Sequence, residues 1–158
     1  LIDGTFDLFS SDHSPFFFSA TGNRGKDNPR ARTSFRWVPN GIPGIETRLP
    51  ILFSEGVSKG RITLERFAAL TATNHANTYG LAPTKGSIAV GADADIVLWD
   101  ADKSMTIRQT DLHHGSDYTP WEGFEVQGWP VATFLRGNQI FRDGHVLGEP
   151  GDGMYLAR

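Results

Sequence analysis

The sequence contains no cysteine among its 158 residues. This absence excludes disulfide bonds, thiolate metal sites and cysteine nucleophiles together. An excess of positive charge is also missing, because 15 Lys and Arg residues face 18 Asp and Glu residues and give a formal net charge of −3. A nucleic-acid-binding protein normally carries a basic face that neutralises phosphates. The charge balance therefore argues against nucleic acid as a partner.

Long apolar runs are missing as well, since no stretch of about 18 apolar residues is present to cross a bilayer. The first residues also lack the basic and apolar regions of a signal peptide. We therefore expect no membrane partner, and with neither signal nor cysteine the cytoplasm is the default compartment. The length and the 39% hydrophobic content suit one domain with a packed core. Because the chain starts at Leu1 and its first residues read as the interior of a fold, we expect a piece of a longer protein.

The first part of the chain reads as a strand followed by a long loop. Residues 4–11 carry spaced apolar side chains and run into a polar turn at Asp12, which is typical of a strand end. Residues 16–40 show no periodicity and contain five basic residues. We interpret these basic residues as the solvated face of a loop. Loops of that length in compact domains are usually functional or disordered.

Helices are expected between residues 48 and 80. Gly56 reads as the end of a first helix, after the apolar stretch 49–53. Residues 61–72 form the clearest helix, with Thr63 as its N-cap. A second short helix is expected to begin at Asn74 and to end at Gly80. The spacing i, i+3, i+4 and i+7 predicts one apolar face, made of Leu64, Phe67, Ala68 and Thr71.

The second half reads as a small β domain. Residues 96–99 form an apolar run that is too short for a helix and predicts a buried strand. Three further segments, 131–136, 139–142 and 145–147, are separated by Gly-Asn and Asp-Gly turns and predict an antiparallel meander. Residues 110–129 lack periodicity and read as an aromatic loop.

Few residues carry chemistry by their pattern alone. Asp12 lies where a strand ends, the position at which barrel enzymes place metal ligands and general bases, yet an Asp before Ser and Pro is more often a turn cap. His13 alone reads as an ordinary hydrogen-bonded loop residue. His113 and His114 are neighbours whose side chains point to opposite sides of an extended segment, which is poor geometry for one metal. These residues do not supply the several ligands of a metal site.

Five segments carry a resemblance that covers nearly the whole chain in order. They are FSSDHSPF (9–16), WVPNGIPGIETRLPILFSEGVSKGRI (37–62), LTATNHANTYGL (70–81), KGSIAVGADADIVLWD (85–100) and YTPWEG (118–123). Together they resemble the hydantoinase and dihydropyrimidinase branch of the amidohydrolase superfamily. NGIPGIE and GADADIVLWD are the strongest parts. The segments match the carboxyl-terminal third of such an enzyme.

The resemblance implies an α/β fold class: the carboxyl-terminal part of a (β/α)8 TIM-like barrel, followed by strands of a small β-sandwich domain. Residues 1–82 would supply the last barrel strand, its loop and its helices. Residues 83–158 would supply the sandwich strands, the aromatic loop and the tail. This division agrees with the change from helical to strand-like patterns after Pro83.

The resemblance also implies a metal-dependent cyclic amidohydrolase that hydrolyses the ring amide of hydantoins or dihydropyrimidines. Such enzymes hold two divalent metals, usually zinc, that polarise the amide carbonyl. Asp12 matches the family's last-strand aspartate, so it would ligate a metal and carry a proton from the attacking oxygen to the leaving nitrogen. Asn40 matches the position that contacts the substrate ring, largely through backbone groups. Gly41 and Gly44 would let that backbone come close to a ligand.

The family's other metal ligands are a His-x-His pair, a carboxylated Lys and two further His, and this sequence contains none of those segments. We therefore expect the isolated chain to be inactive. Two alternatives stay open: a related amidohydrolase acting on allantoin, dihydroorotate or an N-acyl amino acid, and a noncatalytic β-sandwich assembly module. The family is commonly dimeric or tetrameric, so a homo-oligomer is expected. Residues 113–129 and the tail 148–158 would then form a contact surface, although aromatic residues that only cover the β-sandwich would give the same pattern.

Overall fold

The computed structural model describes residues 1–19 and 24–157, and it places a helical half before a four-stranded sheet. The helices are α1 (Arg48–Leu52), α2 (Leu64–Ala68) and α3 (Asn74–Thr78). The strands are β1 (Ile96–Thr106), β2 (Glu125–Leu135), β3 (Asn138–Arg142) and β4 (His145–Val146). No helix in the described part of the chain is long and apolar enough to cross a membrane.

The helix at residues 61–72 is confirmed at its start and corrected at its end. Thr63 is the N-cap of α2, and its side chain accepts a hydrogen bond from the Arg66 amide. The helix does not end at residue 72. It continues from α2 through the wider turns of Ala69–Thr73 into α3. Asn74 therefore caps nothing and lies inside one continuous helical segment. The predicted break was wrong because an asparagine can leave the backbone helical when its side chain finds another partner.

Gly56 does not end the first helix. It is buried in the wide π-type turn Phe53–Ser58 that extends α1. A Cβ atom at Gly56 would lie 2.9 Å from the Ile62 side chain. Glycine is therefore needed here because Ile62 packs against the backbone. The reversal of the chain falls instead at Gly60, whose φ of +66° suits glycine.

The antiparallel meander of the second half is confirmed. The sheet order is β1-β2-β3-β4, and every neighbouring pair is antiparallel. The first hairpin turn lies at residues 136 and 137, one position before the predicted Gly-Asn pair, because Asn138 already begins β3. The second turn lies at residues 143 and 144 as predicted, and all four residues have positive φ. β1 and β2 are both longer than expected, since β2 begins at Glu125, inside the segment that we interpreted as an aromatic loop.

An aromatic cluster joins the helices to the sheet. The Phe53 ring lies 4.9 Å from that of Trp99 and 5.4 Å from that of Phe67, centroid to centroid. Gly128 of β2 lies against Phe53, and Leu70 is fully buried on the neighbouring helical segment. This cluster is where the helical half gains its apolar contact with the sheet.

Two burial predictions were wrong. The β1 residues Val97 and Leu98 are 47% and 49% exposed, and Leu64 of the predicted apolar helix face is 59% exposed. Leu64 and Val97 line an open apolar groove between α2 and β1. The described residues form one sheet, so no second sheet packs on these side chains. An apolar side chain is buried only where another element packs on it.

The long loop at residues 16–40 is more ordered than expected. It contains the short 3₁₀ helices Pro29–Arg32 and Phe35–Trp37, and residues 20–23 of the predicted loop lie outside the described residues. Asn28 is buried and its side-chain amide donates to the carbonyls of Gly25 and Trp37. A buried amide with two acceptors fixes the loop because leaving it unpaired is costly.

A second set of contacts ties the start of this loop to a distant segment. The Asp117 carboxylate accepts hydrogen bonds from the amides of Phe18 (2.6 Å) and Ser19 (3.0 Å). The Ser116 hydroxyl donates to the carbonyl of Phe16 over 2.8 Å. These bonds lower the pKa of the Asp117 carboxyl, since the two amides favour its charged form. Residues 16–19 are thereby anchored to residues almost 100 positions later.

Candidate active site

The segment before Asp12 is extended but is not a strand, which corrects the strand expected at residues 4–11. Its backbone bonds to helices instead: the Phe9 amide donates to the Leu70 carbonyl (3.0 Å), and the Asn74 side chain donates to the Asp7 carbonyl (2.8 Å). A strand needs a neighbouring strand to complete its hydrogen-bond ladder. In the described residues no such neighbour lies beside this segment, and the helices fix its position.

Asp12 follows this segment with an unusual backbone. Its φ is +45°, in the left-handed region that non-glycine residues seldom adopt and that Asp and Asn tolerate best. Its side chain is exposed, and within the described residues its carboxylate accepts no hydrogen bond and forms no ion pair. A carboxylate that is held in a fixed turn and has no partner among the described residues is available to a ligand.

His13 connects Asp12 to a loop 31 residues later in the chain. Its Nδ1 atom accepts hydrogen bonds from the backbone amides of Gly44 (3.0 Å) and Ile45 (3.2 Å). Nδ1 can accept only when it carries no proton, so this contact selects the tautomer with its hydrogen on Nε2. The ring is half-buried, and the His114 ring lies 6.4 Å away.

Ser14 contacts the same loop through its backbone. Its amide donates to the Ile42 carbonyl over 3.2 Å. A Cβ atom at Gly41, whose φ is +86°, would come within 2.5 Å of the Ser14 carbonyl oxygen. Gly41 is therefore needed for the close approach of the two segments, whereas a Cβ at Gly44 would meet nothing within 4 Å.

Asn40 begins this loop and is exposed. The preceding residue is held by Lys26, whose ammonium donates to the Pro39 carbonyl over 2.6 Å. The Asn40 side chain has no hydrogen-bond partner within residues 1–19 and 24–157. The structure thus brings the Asp12 segment and the 40–45 loop together, which no periodicity of the sequence indicates.

Glu46 links the end of the same loop to the sheet. Its carboxylate faces His113, with Oε1 2.8 Å from the ring Nδ1 and Oε2 accepting from the His113 amide. The ring Nε2 lies 3.2 Å from the Gly144 carbonyl. The Glu46 hydrogen bond raises the pKa of His113, because both ring nitrogens face acceptors that favour the charged imidazolium.

Replacing Glu46 by glutamine should make stability less dependent on pH. Because the folded pKa of His113 lies above its ordinary value of 6.5, the pair contributes fully to stability below that pH and loses its contribution as the pH rises through the folded pKa. Glu46→Gln should lower the melting temperature more at pH 5.5 than at pH 9. We expect a loss of about 0.5 kcal/mol, since the imidazole is partly exposed and screened.

The control for this measurement is Glu149→Gln, an exposed carboxylate whose side chain makes no bond in the described residues. It should leave the melting temperature the same at both pH values. An equal effect of Glu46→Gln at pH 5.5 and pH 9 would contradict the pairing.

His114 differs from its neighbour in both surroundings and pKa. Its Nδ1 accepts a hydrogen bond from the Ser116 amide over 3.2 Å, and its Nε2 is buried without a partner in the described part of the chain. Burial lowers the pKa of this ring. The two adjacent histidines therefore contact different groups, as expected for neighbours in an extended segment.

A metal centre does not form within these residues alone. Across residues 1–19 and 24–157, no group of three or more His, Asp or Glu side chains is placed to hold a metal ion. Asp12 offers one carboxylate, and divalent metals in proteins take four or more ligands. The donors present therefore do not fit a complete metal site.

His13 and Glu46 are the site residues that sequence reasoning missed. His13 was interpreted as an ordinary loop residue, and Glu46 was part of a motif but had no assigned partner. Their position in the sequence was the available signal. His13 directly follows Asp12, and Glu46 directly follows the loop that begins at Asn40. Their partners lie 31 and 67 residues away, and local patterns do not report contacts at that distance.

The comparisons with known proteins identify the class. The amidohydrolase family model matches residues 1–140. The chain is 46% identical to a D-hydantoinase of Ralstonia pickettii and 42% identical to a D-hydantoinase of Rhizobium radiobacter, each over the whole chain and 33% of the relative. A crystal structure of dihydropyrimidinase from Brevibacillus agri NCHU1002 superposes with a TM-score of 0.90 at 42% identity, covering 98% of this chain and 32% of that one.

The chain belongs to the amidohydrolase family, and its relatives lie in the hydantoinase branch that the sequence motifs indicated. It spans about a third of the length of the curated relatives that it matches.

Proposed function

We propose that the chain is the carboxyl-terminal part of a metal-dependent cyclic amidohydrolase that opens hydantoin or dihydropyrimidine rings. The observation that carries this proposal is the contact between residues 12–14 and the 40–45 loop. It holds the Asp12 turn, whose carboxylate has no partner among the described residues, against the glycine-containing 40–45 loop. The names of the relatives, D-hydantoinase and dihydropyrimidinase, support cyclic amides as the substrate class.

In this proposal Asp12 acts as a general base and then as a general acid. Its carboxylate takes the proton of the attacking water and returns it to the ring nitrogen as the C–N bond breaks. Asp12 is also proposed as a ligand of one of two zinc ions. A metal bound there would polarise the amide carbonyl. Since the described residues do not complete a metal site, the other ligands are proposed to come from the rest of the natural protein.

The 40–45 loop is proposed to bind the edge of the substrate ring. A ring with adjacent N–H and C=O groups matches backbone groups of the opposite kind. Asn40, Ile42 and Ile45 are the exposed residues of this loop. Because the Asn40 side chain has no partner in the described residues, its amide is free to contact a ligand too. The backbone role is nevertheless the one that we propose.

Asn40→Ala tests which part of the residue matters. If the backbone binds the ring, KM for a cyclic amide should change little and kcat should stay near its original value. Steady-state kinetics of the full-length protein measures both. A large rise in KM would show that the side chain contacts the ring and would contradict the backbone role.

The architecture of the whole protein is part of the proposal. Residues 1–82 would contribute a strand, a loop and helices to a (β/α)8 barrel, and residues 83–158 would contribute to a small β-sandwich. The exposed face of β1 supports this, since it needs a covering layer to be buried as the sequence predicted. We keep the cytoplasm as the expected compartment.

A homo-oligomer also remains a proposal. Residues 116–118 of the expected contact surface are used within the chain, where they bind residues 16–19. The tail supports the proposal better, because Met154 and Tyr155 are 69% and 91% exposed. Aromatic and Met side chains are enriched in interface cores.

The proposal is tested by substrate profiling of the purified full-length protein. Hydantoin or dihydrouracil should be hydrolysed faster than allantoin, dihydroorotate or an N-acyl amino acid. A chelator should abolish the activity, and zinc should restore it. The 158-residue chain alone should be inactive. Faster turnover of allantoin or dihydroorotate would assign another substrate, and no hydrolysis of any cyclic amide would contradict the function.

A further inference from the structure

We propose that His13 is a positioning residue that locks the 40–45 loop onto the Asp12 turn through its Nδ1 atom. The inference rests on the proposed function, because it concerns the spacing between the Asp12 carboxylate and the backbone that binds the ring. His13 itself touches neither the reacting atoms nor the substrate in this proposal. It acts on them through the two loop amides that it holds.

The first argument is that two backbone amides of the loop need a hydrogen-bond acceptor. The Arg48 amide donates to the Gly44 carbonyl, so residues 44–47 form a helical turn that leads directly into α1. The amides of Gly44 and Ile45 lie in the first turn of this segment, where backbone N–H groups have no helical partner. His13 supplies the missing acceptor for both. It therefore caps the turn from a position far away in the sequence.

The second argument is that few contacts join the two segments. Apart from the His13 bonds, the backbone bond between Ser14 and Ile42 and the close approach of Gly41 hold them together. His13 makes the only side-chain hydrogen bonds across this junction among the described residues. Without them, residues 44 and 45 would keep the helical turn but lose their fixed distance from Asp12.

The third argument is that the His13 ring is restrained. Its backbone amide donates to the Ser11 hydroxyl, and the His114 ring lies 6.4 Å away, centroid to centroid. Asp12, directly before it, is held in the left-handed backbone conformation. The rigid turn at Asp12 and the capped turn at residues 44–47 together set the position of the 40–45 loop relative to the Asp12 carboxylate.

The chemistry of amide side chains gives a matched test. In asparagine, Oδ1 occupies nearly the place of the histidine Nδ1, whereas the glutamine amide reaches toward the place of Nε2. His13→Asn should keep the acceptor, and His13→Gln should remove it with a side chain of similar polarity. His145→Gln on β4 is the control, because the described residues give its exposed ring no hydrogen-bond partner.

The experiment uses the full-length natural protein with two readouts. Hydrogen exchange at the Gly44 and Ile45 amides should speed up in His13→Gln and stay near the original rate in His13→Asn. For hydantoin hydrolysis, His13→Gln should lower kcat by about 10- to 100-fold, since small displacements of positioned groups cost that much. His13→Asn should recover most of this loss, and His145→Gln should change neither readout.

The two readouts separate the possible failures. Equal behaviour of His13→Asn and His13→Gln would overturn the role of Nδ1. Faster exchange with unchanged kcat would overturn the positioning role, since His13 would then be merely structural. If the original protein hydrolyses no cyclic amide, the proposed function fails, and with it the positioning role, even where the exchange rates follow the acceptor.

Discussion

Asp12→Asn should lower kcat for cyclic-amide hydrolysis by about 10³-fold in the full-length protein. The substitution removes the proton acceptor and the proposed metal-binding charge in one step. The fold should survive, because asparagine tolerates the left-handed backbone at this position as well as aspartate does. The carboxylate also has no partner to lose in the described residues. Melting temperature and steady-state kinetics, measured on the same preparation, check both halves of the expectation.

The matched control is Asp7→Asn, five positions earlier on the same extended segment. Asp7 is exposed and, in the described structure, only its backbone carbonyl is bonded. Its replacement should leave kcat unchanged. Near-normal turnover of Asp12→Asn with saturating zinc would mean that Asp12 is a turn residue alone, and the assignment of the site would be wrong.

Gly128→Ala should cause the largest loss of stability for a change of one methyl group. A Cβ atom would lie 2.2 Å from Phe53 Cδ1 and 2.9 Å from Trp99 Nε1, inside the aromatic cluster that joins the helices to the sheet. The φ of +96° adds a backbone cost for any residue with a Cβ. Overpacking and backbone strain together should lower the free energy of unfolding by about 3 kcal/mol.

Two other glycines separate these contributions. Gly123→Ala has a φ of +78° but open space around the added atom, so it should show the backbone cost alone, about 1 kcal/mol. Gly115→Ala meets nothing within 4 Å and has no positive φ, so it should be nearly neutral. Urea midpoints of the three variants give the comparison. If Gly128→Ala were no worse than Gly123→Ala, the aromatic cluster would not be tightly packed at this strand.

The parts of the fold that sequence predicted are those with local causes. The β hairpins were predicted because glycine and neighbouring turn residues accept positive φ, and Thr63 was predicted because its hydroxyl caps an amide three residues later. The ends of the helices were predicted less well. Gly56 and Asn74 have the chemistry of termini, yet Ile62 packs on the first and the Asp7 carbonyl binds the second.

The remaining wrong predictions concern residues whose structure depends on tertiary neighbours. Whether residues 4–11 form a strand depends on a neighbour that local sequence does not report. The same is true of Val97 and Leu98, which are apolar enough for burial but have no covering layer in the described residues. Asp12 and Asn40 were named through a family resemblance, since each alone reads as a turn residue. The contact of His13 with Gly44 follows from tertiary structure alone.

The bonds between residues 16–19 and residues 116–117 have a consequence for synthesis on the ribosome. At about 5–20 residues per second, roughly five to twenty seconds pass between the emergence of Phe18 and that of Asp117. During that interval Phe16, Phe17 and Phe18 emerge beside Asp12 without the segment that anchors them. The backbone of residues 16–19 is therefore anchored late. The three rings are 41%, 51% and 49% exposed in the folded chain, so a nascent chain stalled before residue 116 should present the same aromatic stretch to chaperones and proteases without its backbone anchors.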